Sequence, residues 1–94
     1  MNDDEFEWDD TKAAQNFRDH GVTFDTAREI FRDPFALDWL DVSEHYGEDR
    51  YARIGLAQSR LLYVAYTMRG ERTRIISARG AEPYEQRKYH EENS

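Results

Sequence analysis

The 94 residues carry 20 acidic and 13 basic side chains, for a formal charge of −7, and no cysteine. That length supports one modest core, the missing cysteine excludes disulfides and thiolate chemistry, and the charge argues against nonspecific DNA binding, which needs Lys and Arg to neutralise phosphates. No apolar run approaches the roughly 18 residues that span a bilayer, and the acidic first ten residues do not suit the start of a signal peptide, so a cytoplasmic protein is the expectation.

Met1 to Glu5 is expected to be a flexible acidic arm, as are residues 93 and 94 at the other end. Phe6-Glu7-Trp8 alternates apolar and polar and predicts a short strand that pins the N-terminus to the core. Asp9 or Asp10 can cap a helix from Thr11 to His20, which Gly21 stops. Ala13, Ala14 and Phe17 are its expected buried set, and Ala13, Asn16 and His20 share a stripe. Thr23 caps a second short helix with Phe24, Ala27, Ile30 and Phe31 inward, and Asp33-Pro34 ends it. The two helices form a hairpin that needs a sheet to pack on.

Ala36 to Leu40 predicts a strand, and the polar stretch from Ser43 to Asp49 a loop. Three strands follow, YARIGL from Tyr51, LLYVAYT from Leu61 and TRIISAR from Thr73, rich in β-branched and aromatic residues. AQSR and MRGE join them and are short enough for hairpins, so an antiparallel meander is predicted. Gly80 breaks the last strand. Pro83 then opens a C-terminal helix reaching about Glu92, where Glu85 and Lys88 are expected to pair.

Charge divides unevenly along the chain. Residues 1 to 49 hold 15 acidic and 4 basic side chains, whereas residues 50 to 94 hold 5 and 9. Arg50, Arg53, Arg60, Arg69, Arg72, Arg74 and Arg79 lie on or beside the three strands, so a basic face can coexist with a negative total. On a regular strand Arg74 and Arg79 point to opposite faces, and only a bulge or twist would bring them together. Asp38, Asp41, Glu44, Glu48 and Asp49 lack the geometry of a metal site and read as a solvated acidic face.

Much of the chain carries a resemblance. Phe6-Glu7-Trp8-Asp9, Lys12-Ala13 with Asn16, His20-Gly21-Val22, Phe24, Phe31 and Asp33-Pro34 form its first half. Glu48-Asp49-Arg50, Ile54-Gly55, Thr67, Arg69, Arg74-Ile75-Ile76-Ser77-Ala78-Arg79 and Glu85 to Tyr89 form its second. In these residues the chain resembles the BrnT family of type II toxins. The resemblance implies one toxin domain over residues 1–94, of α+β class, with a RelE-like small antiparallel sheet packed against an N-terminal helical hairpin and a C-terminal helix.

It further implies a metal-independent endoribonuclease that needs no cofactor, inhibits translation and is neutralised by a BrnA-like ribbon-helix-helix antitoxin. Promoter DNA would be met only through the antitoxin complex, and a toxin–antitoxin heterotetramer is compatible with this. The alternative is a catalytically weakened RelE-like module that acts in antitoxin binding and transcriptional co-repression. At Asp19 and Gly80 the chain departs from the family, where positive residues are usual.

RNA cleavage without a metal requires deprotonation of the 2′-hydroxyl, stabilisation of charge on phosphorus and protonation of the 5′-oxygen. Arginine suits the second task because its planar fork holds two phosphate oxygens. Arg50, Arg69 and Arg79 are the candidates for it, each near a strand end or turn. Glu48 is a candidate base. His20 is another catalytic candidate, with the alternative that it serves the carbonyls at its helix end. Lys12, His45, Arg53 and Tyr51 are the candidate RNA contacts, Tyr51 through base stacking, although tyrosine is also common in half-buried sheets.

Overall fold

The computed structural model describes residues 1–42 and 47–94. Its elements are β1 (Phe6–Glu7), α1 (Asp10–His20), α2 (Phe24–Ala27) continued by a 3-10 segment (Arg28–Arg32), β2 (Leu37–Asp41), β3 (Arg50–Ala57), β4 (Arg60–Arg69), β5 (Arg72–Gly80) and α3 (Pro83–Glu92). Each predicted helix and strand is present. The meander strands run two or three residues longer than their apolar cores, because cross-strand pairing carries the ladder out to the turns. Gly80 is therefore the last residue of β5, and the strand ends there as expected.

The sheet order is β1-β5-β4-β3-β2. β2 to β5 are antiparallel, while β1 adds to the β5 edge in parallel, which makes the sheet mixed. Two-residue turns close the meander. Gln58 and Ser59 both have positive φ, 51° and 67°, and Gly70 has φ 62°. Such turns match the right-handed twist of the paired strands.

A bulge sits in β5. Ala65 pairs with Ser77 and Tyr66 with Ile75, which leaves Ile76 as the extra residue. Beyond it the alternation is shifted, so Ile75 and Ala78, three apart, are both buried in the core under the helical hairpin. The same shift puts Arg74 and Arg79 on one face, the face carrying α3.

The sheet is covered on both sides. On one, Trp8, Val22, Phe24, Ala27 and Ile30 pack against Leu62, Val64, Ile75 and Ala78. Ile30 presses so closely on the sheet that a Cβ at Gly55 would lie 2.8 Å from the Ile30 Cβ, and only glycine fits there. On the other side Tyr89 and Ala81 meet Ile54, with Leu37, Trp39, Leu61 and Tyr63 around them. Asp33 ties these layers together, accepting from the amides of Phe35 (2.9 Å) and Leu56 (2.8 Å) and from the Tyr89 hydroxyl (2.8 Å). Burial works against its charge, but these donors outweigh it and hold the carboxyl below its ordinary value.

The inward face of α1 differs from expectation. Asn16 is its buried residue and Ala13 is half-buried, whereas Ala14 is exposed and Phe17 is 54% exposed. The reason lies in β5. Two-residue β1 pairs only with Thr73 and Arg74, and farther along the same strand Asn16 accepts from the Ala78 amide (3.0 Å) and donates to its carbonyl (2.8 Å). A third bond goes to the Val22 carbonyl (3.0 Å). Buried backbone groups must be paired, and a core asparagine does this where a phenylalanine would not.

The ends of the chain make specific bonds. Asp3 accepts from the amides of Glu5 and Phe6 and pairs with Arg28 at 3.1 Å, and the Thr73 amide donates to Glu5. Asn93 donates to the Phe35 carbonyl at 3.1 Å.

Candidate functional site

Four elements converge at the end of the sheet where β3 begins and β4 finishes. Lys12 from the first turn of α1, Arg50 from β3, Arg69 from β4 and Arg74 from β5 line one polar depression of about 100 Å³. Two carboxylates, Asp9 and Glu48, share its wall among the described residues. Asp9 is already committed: it caps α1 by accepting from the Lys12 amide at 3.0 Å, and that bond holds its carboxyl below the ordinary value. Arg74 is fixed from behind by Glu7, at 2.6 Å. Glu48 stands 3.6 Å from the Arg69 Nε. The depression thus holds four cations against two carboxylates, in a protein whose total charge is negative.

Thr67 organises the opening of β3. Its side chain is buried at the base of the depression, and its hydroxyl donates to the Asp49 carbonyl at 2.5 Å. The backbone between Glu48 and Arg50 is anchored there, which sets the two flanking side chains at the cleft. Among the described residues no three His, Asp or Glu side chains group so as to hold a metal ion.

The structure brings Lys12, Glu48, Arg50 and Arg69 together. It does not bring Arg79 to them. Arg79 pairs with Tyr63, six residues along β4 from Arg69 and therefore about 20 Å away. Its guanidinium makes a bidentate bond to Glu85, at 2.8 and 3.0 Å, and lies 4.1 Å from the Tyr63 ring centroid. Burial pushes the Glu85 carboxyl upward, but Arg79 and the Glu82 amide outweigh it and hold the group below its usual range. Glu85 consequently faces inward and is not the surface partner of Lys88, whose ammonium instead sits 5.4 Å from the Trp39 ring centroid.

His20 is exposed at the far end of α1, eight residues or about 12 Å along the axis from Lys12. Arg53 and Tyr51 occupy the opposite face of the sheet. There Arg53 meets Asp38 at 2.6 Å and the Phe31 ring at 4.5 Å, and Tyr51 stacks on Tyr66 with centroids 5.4 Å apart. His45 lies outside the described residues. Arg74 and Thr67 are the cleft residues that the sequence reading did not select. The signal for Arg74 was Ile75-Ile76, two bulky apolar residues in succession inside an alternating strand, which marks the bulge.

A small mixed sheet with a helical hairpin on one face, a terminal helix on the other and cations gathered at one end is a RelE-like α+β architecture. Residues 8–85 match the family described as the ribonuclease toxin, BrnT, of type II toxin–antitoxin systems, and the chain belongs to that family. No match to a curated protein was found.

Proposed function

We propose that this protein is a metal-independent endoribonuclease toxin whose reaction takes place in the Lys12, Glu48, Arg50, Arg69 and Arg74 cleft. The observation that carries this reading is the convergence of four cations from four elements around one carboxylate that does not cap a helix. A phosphodiester seated between the guanidiniums meets charge where its equatorial oxygens gain it in the transition state. Glu48 takes the 2′-hydroxyl proton, the 2′-oxygen forms a bond to phosphorus, and the bond to the 5′-oxygen breaks. The Lys12 ammonium supplies the proton to that leaving oxygen. The products are a 2′,3′-cyclic phosphate and a 5′-hydroxyl.

Arg79, in this reading, holds the fold together. The matching family is described as the toxin of a type II toxin–antitoxin system, and in this reading a BrnA-class partner would silence the cleavage and carry the toxin to promoter DNA without the toxin reading bases.

The test is cleavage of a defined RNA, with chelator present, by wild type and by Arg50→Ala, Arg69→Ala and Glu48→Gln, each checked for folding by circular dichroism. The expected result is cyclic-phosphate ends from wild type and a fall of at least 100-fold in each variant, the typical loss when one charge-stabilising donor (Arg50, Arg69) or the general base (Glu48) is removed. Folded wild type that cleaves nothing, with or without ribosomes, would instead leave the chain an assembly and co-repression module.

A further inference from the structure

The end of the molecule opposite the cleft carries an unusual surface. At the Gln58-Ser59 turn two shallow depressions meet, of about 280 and 570 Å³, sharing Ala57 and Gln58 as their common wall. The first is walled by Phe17 and Arg60, the second by Phe35, Leu56 and Arg32. Phe17, Phe35 and Leu56 are 54%, 59% and 46% exposed, so three large apolar side chains stand in solvent at one pole. Phe17 is there because Asn16 took the inward position on α1.

The charges at this pole are also distinctive. Neither Arg32 nor Arg60 is within ion-pair distance of a carboxylate among the described residues, although carboxylates outnumber cations in the chain. Arg60 is held in place by shape: its guanidinium lies over Gly80, where a Cβ would come within 2.6 Å of it. The two acids that line the second depression are both engaged: Glu29 accepts from Gln58 at 2.9 Å, and Asp33 accepts from the Phe35 and Leu56 amides and the Tyr89 hydroxyl. Exposed aromatic and aliphatic anchors flanked by uncommitted guanidiniums are the composition of a protein interface, where Phe and Arg are enriched. They complement an amphipathic segment bearing carboxylates and apolar side chains.

We infer that this pole is the anchoring surface for the antitoxin partner, which seats an acidic amphipathic segment across Phe17, Leu56 and Phe35 with carboxylates at Arg32 and Arg60. The inference rests on the toxin–antitoxin reading above. It adds that the anchor is separate from the reaction cleft: β3 and β4 put the pole about 25–30 Å from Arg50 and Arg69. A partner that also silences the cleft must send about eight extended residues along the protein from this anchor.

The test is calorimetric titration of the purified chain with its BrnA-class antitoxin, for wild type, Arg32→Glu/Arg60→Glu, Phe17→Ser/Leu56→Ser and Arg69→Ala. Thermal melts verify that each is folded, and RNA cleavage is measured in parallel. Both pole variants are expected to bind at least tenfold more weakly, to retain wild-type cleavage, and to escape inhibition at antitoxin concentrations that silence wild type. Arg69→Ala is expected to bind within threefold of wild type. Pole variants that bind like wild type would overturn the anchor, as would wild type that does not bind the antitoxin at all. Wild type that binds through the pole yet cleaves no RNA would uphold the anchor and defeat the ribonuclease reading.

Discussion

Replacing Glu85 by alanine should destabilise the protein without touching the cleft. Glu85 is 3% exposed, and it accepts two bonds from Arg79 and one from the Glu82 amide at 2.8 Å. Losing one partner of a buried ion pair costs about 3–5 kcal/mol when the other charge is left stranded. Arg79 is only partly stranded, because its side chain is 29% exposed and Glu82 remains 3.9 Å away. The expected loss is therefore about 2–3 kcal/mol, which for a domain of this size lowers the melting temperature by about 10–20 °C. Glu85→Gln keeps an acceptor for the Glu82 amide and should lose about half as much. The sign with pH follows from the lowered carboxyl: the contribution is complete above the ordinary value of 4.5 and disappears as pH falls through the folded-state value. The assay is thermal melting by circular dichroism at pH 7 and pH 3, with RNA cleavage measured at a temperature where every variant is folded. A Glu85→Ala melt within 2 °C or so of wild type at pH 7 would refute the reasoning, since the smallest loss in that range gives several times more. Arg79→Ala that stays folded but loses cleavage as fully as Arg69→Ala would refute the structural role of Arg79.

Three further outcomes are expected. Asn16→Ala leaves the Val22 carbonyl and both backbone groups of Ala78 without their partner, and a drop of about 2–4 kcal/mol should appear as an earlier urea midpoint. Thr67→Val keeps the shape of the side chain but frees the Asp49 carbonyl, so cleavage should fall about tenfold in kcat with little change in KM, and Thr67→Ser should restore it. Burial and hydrogen bonds to Asp38 and Asp33 push the Tyr66 and Tyr89 hydroxyls from 10.0 up to about 12. Raised folded-state values mean that this stabilisation is intact below pH 10 and fades as pH rises toward about 12, and Tyr66→Phe should make the alkaline melting curve less steep.

Local chemistry made much of the fold legible. Asp9, Gly21, Thr23 and the Asp33-Pro34 turn mark helix ends by cap, positive φ and proline, all properties of a few neighbouring residues. The three long strands follow from β-branched and aromatic composition between short turns. What escaped was whatever depends on which backbone groups remain unpaired after assembly. Phe17 fits a helix face as well as Asn16 does, and Asn16 goes inward only because Ala78 lies beyond the short β1 strand. By sequence Arg79 reads as a phosphate-binding candidate and Glu85 as the partner of Lys88, until the bulge at Ile76 and the packing of α3 place them in contact with each other.

The candidate site divides in the same way. Arg50, Arg69, Glu48 and Lys12 were selected by residue type and resemblance, and the structure gathers them. Arg79, Arg53, Tyr51 and His20 were selected on the same grounds, and strand length, sheet face and helix length carry them elsewhere. The sequence alone therefore determined the elements, their order and the kind of chemistry available, because those rest on local propensity and side-chain type. Only the tertiary structure decided which guanidiniums share a cleft and which hold the fold together. That choice turns on register, one bulged residue and the pairing of buried groups far apart in the chain.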